Sequence, residues 1–177
     1  SWSVFPDYER RDPQQAWMMF LRSPGGSSSI PGKCLVSADG IQWSPPVSSG
    51  PTGDRSTMFY NPFRKKWVFS LRSSVRGRSR HYWECDDFLK GASWRNFTNQ
   101  GPNCPVFWTG ADALDLPDPA IGDKPQLYNL DAVAYESILL GLFEIHRGPP
   151  NAEGMKTCIP KITDLELAYS RDGFHWD

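Results

Sequence analysis

Apolar and polar positions alternate along three stretches of the chain in the same order. Each stretch has a short apolar run, a turn, a stronger apolar run, a polar loop and a run that ends in a tight turn. The stronger runs are residues 15–22, 66–72 and 139–147. A period of two predicts half-buried β-strands, and Gly and Pro between the runs predict turns. The pattern therefore predicts short antiparallel strands.

The last run of each stretch leads into a repeated turn. Residues 37–43 and 170–176 both read S-x-D-G-x-x-W, and a weaker copy at 82–87 is closed by Trp94. In such a turn the Asp accepts backbone amides, the Gly adopts a positive φ, and the Trp packs the returning chain onto the sheet. Recurrence in the same order predicts structural units at 1–50, 51–97 and 128–177, with an insertion rich in Pro, Asp and Gly at 98–127.

The repeated units predict an all-β fold of antiparallel β-propeller blades, with a β-sandwich of similar strands as the alternative. Composition supports the all-β class, because 8 Trp, 6 Tyr and 10 Phe favour strands while 15 Gly and 16 Pro punctuate them. Three units already fill the 177 residues, whereas closed propellers generally have four or more blades. The sequence therefore predicts a partial propeller, whose open blade edges need further chain or a partner.

Charge and cysteine content exclude several function classes. Nineteen Lys and Arg balance 20 Asp and Glu, so no global field favours nucleic acid as a partner. No apolar run reaches the roughly 18 residues of a membrane span. No motif specifies a cofactor, and the three His share no metal-ligand spacing. The four Cys permit two disulfides, but buried free thiols are the simpler interpretation.

Candidate catalytic residues are found where the inner strand of each blade begins, because these positions converge on one central funnel. In the second unit the position holds Asp54, between Gly53 and Arg55, and in the third it holds Asn129 and Asp131. In the first unit it falls at or just before the first residue. Asp54 and Asp131 are therefore predicted to share a site. The alternatives are that Asp54 caps a turn and that Asp131 is a solvated residue of a strand edge.

This context resembles the five-bladed propeller glycoside hydrolases, the invertase-like and arabinanase-like families and their relatives. The resemblance rests on Gly53-Asp54-Arg55 ahead of the runs 57–60 and 66–69, on the pair Tyr135-Glu136, and on the S-x-D-G-x-x-W turns. It implies that about three of five blades are present and that acidic residues from the first three blades face a common pocket. It also implies a secreted or periplasmic location.

The resemblance implies hydrolysis of a glycosidic bond by carboxyl groups. One carboxyl must protonate the leaving oxygen, another must attack the sugar or activate water, and a third can orient the sugar. By resemblance Asp54 is the orienting, transition-state-stabilising carboxylate, and Glu136 or Asp131 is the general acid. The nucleophile or base of the first blade is missing from the chain. The alternative for Glu136 is a hairpin at the far end of its strand, away from the funnel.

Four further side chains are candidates for binding a carbohydrate. Arg55 can bind sugar hydroxyls or form an ion pair with Asp54. Trp108, in the insertion, can stack on a sugar ring because no repeat requires it. His146 ends a strand and can reach a pocket, or it is a structural histidine. The last candidate, Arg72, belongs to a local basic cluster.

That basic cluster comprises Arg72, Arg76, Arg78 and Arg80. It can recognise an anionic sugar or phosphate, or it can form a solvated hairpin tip. Three function classes thus follow from the sequence: a glycoside hydrolase or part of one, a non-catalytic lectin-like carbohydrate binder, and a scaffold for protein contacts. The hydrolase needs three convergent carboxylates, whereas the lectin needs aromatic platforms and hydrogen-bond donors.

Overall fold

The structure, a computed structural model, describes residues 2–9, 11–22, 30–97 and 101–177. Ser1 and residues 98–100, the start of the predicted insertion, lie outside these ranges. The described chain is all-β, as predicted, and its strands pair antiparallel in three sheets. The three sheets span residues 2–52, 57–110 and 126–170.

The first two sheets have four strands each, paired in sequence order. The first contains β1 (Trp2–Pro6), β2 (Trp17–Arg22), β3 (Ile30–Ser37) and β4 (Val47–Thr52), with a 3₁₀ turn at Pro13–Gln15. The second contains β5 (Thr57–Asn61), β6 (Lys66–Ser73), β7 (Ser79–Cys85) and β8 (Val106–Gly110). A single helical turn, α1 (Phe88–Gly91), follows β7, where Asp87 caps the N–H groups of Leu89 and Lys90.

The third sheet has three strands in the described residues, with β10 at its centre. They are β9 (Gln126–Tyr135), β10 (Ile138–Gly148) and β11 (Ile162–Ser170), and the helix α2 (Asn151–Thr157) lies between the last two. The predicted insertion at 98–127 needs correction in one respect, since β8 lies within it and is the fourth strand of the second sheet. Its Pro- and Gly-rich flanks resemble a loop, but Trp108 packs into the core and holds the strand there.

The three sheets stack face to face, with the second sheet in the middle. Thr57 donates its hydroxyl to the carbonyl of Leu130 over 2.7 Å, and the N–H of Met58 donates to the hydroxyl of Ser3 over 3.2 Å. These contacts join β5 to β9 and to β1, so the first strands of the three sheets lie side by side.

Alternation along β5 explains why both faces of the second sheet are buried. Met58 and Tyr60 point into an apolar cluster shared with the first sheet, whereas Phe59 points into a cluster shared with the third. Every residue of β5 is buried. Burial of one large apolar side chain stabilises a fold by roughly 1.5–3 kcal/mol, so each of the two interfaces contributes strongly to the stacking.

The outer faces of the stack, unlike the two interfaces within it, are exposed, because no described residue covers them. On the first sheet Trp2 is 79% exposed, and on the third sheet Leu165 and Leu167 are 68% and 72% exposed. Their neighbours on the third sheet, Val133 and Leu142, are also exposed. Contiguous apolar surface of this kind marks an interaction site.

The two S-x-D-G-x-x-W turns have the predicted geometry. Asp39 accepts the N–H groups of Ile41 and Gln42, both at 2.8 Å, and Asp172 makes the equivalent contacts. The glycine after each Asp has a positive φ, 77° in the first turn and 81° in the second.

The four cysteines are unpaired, and burial raises the pKa of both Cys34 and Cys85 to about 12.

Candidate functional site

One end of the sheet stack gathers most of the predicted site residues. The segment before β5, the end of β6 and the start of β7, and the start of β9 meet there. We call it the Asp54 end and define it by Asp54, Arg72, Arg80 and Tyr128. The sheet topology dictates this meeting, because the first strands of neighbouring sheets run side by side.

Asp54 is half-buried, and both of its carboxylate oxygens have partners. Arg72 pairs with Oδ1 at 3.0 Å, and the phenol of Tyr128 donates to Oδ2 at 2.9 Å. The close approach depends on Gly53, because a Cβ at that position would lie 2.3 Å from the carbonyl oxygen of Arg72. Asp54 is thus oriented by two donors from two different sheets, and its pairing with Arg72 takes the place of the expected pair with Arg55.

Arg80 lies fully buried at the centre of this end. Its guanidinium donates to the hydroxyl and the carbonyl of Ser70, to the carbonyl of Arg55 and to the carbonyl of Tyr128, at 2.7–3.1 Å. One side chain therefore links β6, the segment before β5 and the start of β9. A planar fork with five N–H donors suits this task, which a lysine cannot perform.

Three carboxylates affect the pKa of the buried guanidinium. Burial lowers the pKa of Arg80 below its ordinary value, while the charges of Asp131, Asp54 and Glu144 act in the opposite direction. A buried cation needs such partners, because an uncompensated one would be very costly.

Asp131 and Glu144 lie close together on the adjacent strands β9 and β10. In the pairing of β9 with β10, Asp131 lies opposite Leu142 and Asn129 lies opposite Glu144. The two acidic residues are therefore diagonal neighbours on one face of the sheet, a relationship in which residues are typically about 7–8 Å apart. Asp131 is exposed and accepts a hydrogen bond of 2.7 Å from Asn129. Glu144 was not among the residues predicted from the sequence. The feature that could have indicated it is a carboxylate within the apolar run 139–147.

Glu136 is not brought to the Asp54 end. It occupies the tight turn between β9 and β10 with a φ of 53°. Eight residues of strand separate it from Tyr128, which corresponds to about 25 Å at the rise of a β-strand. This is the alternative position that the sequence left open, and Glu136 therefore takes no part in the site.

The aromatic and basic candidates have divergent positions. Arg55 is exposed, and its Cζ lies 5.5 Å from the ring centroid of Tyr128. Trp108 is 8% exposed, and its indole N–H donates to the carbonyl of Phe174 over 2.6 Å. Its ring packs against Tyr82 and Trp176. The structure thus packs most of Trp108 against other aromatic groups, and the remainder of the residue lines the cleft described below.

His146 lies buried beneath the same end, opposite Gln126 in the strand pairing. Its ring centroid is 6.2 Å from that of Tyr128. Burial lowers the pKa of His146, and the neighbouring charges of Arg78 and Lys161 lower it further. The imidazole is therefore neutral at physiological pH, and it supports the start of β9 from below.

A cleft of about 760 Å³ opens beside Tyr128, between the β6–β7 hairpin tip, the end of β8 and the start of β9. Its cationic lining residues are Arg76, Arg78 and Lys124, and we call it the basic cleft. Phe107, 37% exposed, is the aromatic side chain at its surface. The cleft has the concave shape and the volume of a small-molecule site.

A second cavity, of about 490 Å³, is lined in part by Arg64, Tyr82 and Glu84. These side chains bind one another: Arg64 donates to both oxygens of Glu84 at 2.6 and 2.8 Å, and the phenol of Tyr82 donates to Glu84 at 2.5 Å. Their donors and acceptors are mutually satisfied, which is typical of a structural ion pair.

The described residues contain neither a cluster of metal ligands nor a membrane-spanning helix. Across residues 2–9, 11–22, 30–97 and 101–177, no three His, Cys, Asp or Glu side chains are grouped in a way that could hold a metal ion. In the described part of the chain, no helix has the length and apolarity needed to cross a membrane.

Comparisons with known protein families, with curated proteins and with solved structures find no match for this chain.

Proposed function

We propose that this chain is part of a glycoside hydrolase-like β-propeller and that the Asp54 end acts on a carbohydrate. One observation carries the proposal: Asp54 is fixed by Arg72 and Tyr128 where the first strands of the second and third sheets begin, and two further carboxylates, Asp131 and Glu144, are diagonal neighbours near the start of β9. Glycoside hydrolysis requires such converging carboxyl groups. The proposed chemistry uses carboxyl groups and implies no cofactor.

The stacking of the sheets supports the propeller. Three antiparallel sheets pack face to face with β1, β5 and β9 side by side, as the inner strands of propeller blades do. The exposed apolar faces of the first and third sheets fit further blades of the same propeller or another chain. A carbohydrate and this covering partner are therefore the proposed partners.

Each carboxylate has its own role in this proposal. Asp54 is fixed by Arg72 and Tyr128, and a carboxylate held in this way suits the orientation of a sugar. Asp131 and Glu144 are the pair for acid and base chemistry, with Glu144 in the place expected for Glu136.

A second candidate function is carbohydrate binding without hydrolysis. It is favoured by the ion pair of Asp54 with Arg72, which neutralises the carboxylate, and by the open basic cleft beside it. A binder needs hydrogen-bond donors and aromatic surface but no complete set of acidic residues. Arg55, Arg78 and Phe107 supply these groups.

Turnover measurements on the whole chain separate the two functions. We would assay aryl glycosides and neutral and acidic oligosaccharides with the wild type and with Asp54→Asn, Asp131→Asn and Glu144→Gln. The hydrolase predicts turnover that falls by about 100-fold or more in each variant, the usual effect of losing an acid–base group. Glu136→Gln is the matched control and should retain full activity.

Each outcome decides between the functions. Full activity in Asp54→Asn would remove Asp54 from the mechanism. Saccharide binding without turnover by the wild type would favour the binder, and absence of both would contradict the carbohydrate function.

A further inference from the structure

The basic cleft contains three cations that have no carboxylate partner. In the described part of the chain, neither Arg76, Arg78 nor Lys124 takes part in an ion pair. Arg72 and Arg80, on the other side of Tyr128, are by contrast compensated by acidic residues. Tyr128 thus separates an acidic site from a basic one.

Aromatic rings hold the two guanidinium groups of the cleft in place. The Cζ of Arg76 lies 4.6 Å from the ring centroid of Phe107, and that of Arg78 lies 5.1 Å from the ring centroid of Tyr128. Stacking of this kind uses the flat face of a guanidinium and leaves the N–H groups at its edge available. The two side chains are therefore ordered and still able to donate hydrogen bonds.

The backbone of the hairpin tip is fixed as well. The N–H of Arg78 donates to the side-chain carbonyl of Gln126 over 2.9 Å, which ties the β6–β7 hairpin to the start of β9. The Nε of Arg78 is buried, and within the described ranges it has no hydrogen-bond partner.

Nearby carboxylates do not compensate the three cations. Asp112, the acidic lining residue, accepts the N–H of Leu114 over 2.7 Å within its own loop. Asp123 lies against Gly148, where a Cβ would be 2.6 Å from its Oδ2. Three like charges in one concavity repel one another, and an anion in the cleft would relieve that repulsion.

We propose that the basic cleft binds an anionic substituent of a saccharide, either a carboxylate or a sulfate ester. This inference rests on the proposed carbohydrate function and names its substrate class. The oxyanion accepts in-plane N–H groups from Arg76 and Arg78, the geometry in which guanidinium recognises carboxylate and sulfate, and Lys124 adds a point charge. Because Tyr128 contacts both Asp54 and Arg78, the charged sugar ring lies next to the acidic site.

Calorimetric titration of the whole chain with matched saccharides tests the inference. One arm compares trigalacturonate with its methyl ester, which keeps the ring stereochemistry and removes the charge. The other arm compares a sulfated disaccharide of carrageenan with its desulfated form. At least one anionic form should bind about tenfold or more tightly than its neutral partner, the usual effect of a charge-assisted hydrogen bond.

Variants locate the effect in the cleft. Arg76→Gln and Lys124→Gln should each weaken binding of the anionic form by about tenfold and leave the neutral form unaffected. Lys90→Gln removes the same charge from α1, where the lysine side chain is 89% exposed, and should change neither affinity.

Several results would overturn the inference. Equal affinity for charged and neutral forms, or affinity that is unchanged in Arg76→Gln and Lys124→Gln, would overturn it and leave the carbohydrate function standing. Failure of every saccharide to bind would remove the proposed function together with this inference. Tighter binding of a single-stranded RNA oligonucleotide, lost in the same two variants, would assign the cleft to nucleic acid instead.

Discussion

The phenol of Tyr128 donates a hydrogen bond of 2.9 Å to the carboxylate of Asp54. This contact joins the start of β9, in the third sheet, to the segment before β5, in the second. The ring of the same tyrosine stacks with Arg55 and Arg78. Tyr128 therefore positions the acidic site through its hydroxyl and the basic cleft through its ring, two functions that substitutions can separate.

Tyr128→Phe should lower the free energy of unfolding by about 1–2 kcal/mol, because a hydrogen bond to a charged group is lost while the ring remains. Urea denaturation at pH 7 gives the value. Tyr135→Phe is the control, since Tyr135 lies at the other end of β9 with 60% of its surface exposed. Equal stability of the wild type and Tyr128→Phe would show that the hydroxyl contributes nothing there.

Arg80→Met should be far more damaging. The substitution leaves the carbonyl oxygens of Ser70, Arg55 and Tyr128 without their buried donor and removes a cation whose charge Asp131, Asp54 and Glu144 offset. Breaking a buried charge network of this kind costs about 3–5 kcal/mol. We expect a large fall in the urea midpoint for Arg80→Met and less than about 0.5 kcal/mol for Arg171→Met, a change at an exposed site. A loss below about 1 kcal/mol in Arg80→Met would contradict the assigned role.

The sequence predicted the sheets better than it predicted the site. Alternation and turn motifs located the strands of the three repeat units, because both signals act over a few residues. The strand β8 was missed, since its position depends on a tertiary contact, the packing of Trp108 among Tyr82, Phe174 and Trp176. A local pattern of apolar and polar residues does not predict such a tertiary contact.

The site required distances that sequence does not give. Asp54 was predicted from its place before a strand, but its proximity to Tyr128 and Arg80 was not, because these residues lie 74 and 26 positions further along the chain. Glu136 and Glu144 differ by only eight positions, yet a hairpin turn places them at different heights of the sheet. Strand register, which depends on pairing across the whole sheet, decides which carboxylate reaches the site.

Gly53→Ala should damage the acidic site through the backbone. A Cβ at this position would lie 2.3 Å from the carbonyl oxygen and 2.9 Å from the Cδ of Arg72, so the two segments must separate. We expect a loss of about 1–3 kcal/mol in the free energy of unfolding, as for overpacked cores, together with weaker saccharide binding. Gly110→Ala is the matched control, because its Cβ would meet the nearest atom at an ordinary 3.5 Å. Equal effects of the two substitutions would contradict the steric argument.

Stability should fall between pH 6.5 and pH 4 because of His81. Burial, assisted by the charge of Arg76, lowers the pKa of His81 from 6.5 to about 4. Between these values the unfolded chain binds a proton that the folded chain does not, so the free energy of unfolding decreases as pH falls through the window. At about 1.4 kcal/mol per pKa unit the loss is roughly 3 kcal/mol. His146, whose pKa is also lowered, acts in the same direction.

Urea denaturation of the wild type and His81→Gln at several values of pH measures this dependence. The comparison concerns the slope of the free energy of unfolding with pH and not its absolute value at pH 7.5, where both histidines are neutral. We expect a flatter decline in His81→Gln, with the remainder due to His146. Parallel curves for the two proteins would exclude His81 as the source.

The repeated turns should differ in their contribution to stability. Asp39 and Asp172 accept equivalent backbone N–H groups within their own turns. Asp172 also binds the Nδ1 of His175 at 2.8 Å, and its turn docks on the neighbouring sheet, where Asn61 donates to the carbonyl of Asp172 over 2.7 Å. Asp39→Ala should therefore cost about 1 kcal/mol, the value of a turn cap, and Asp172→Ala should cost about twice as much, because displacement of the turn weakens the contact between sheets. Asp172→Asn keeps an acceptor for the N–H groups of Phe174 and His175 and should recover part of the loss. Equal unfolding free energies for Asp39→Ala and Asp172→Ala would mean that the turn does not help to hold the third sheet against the second.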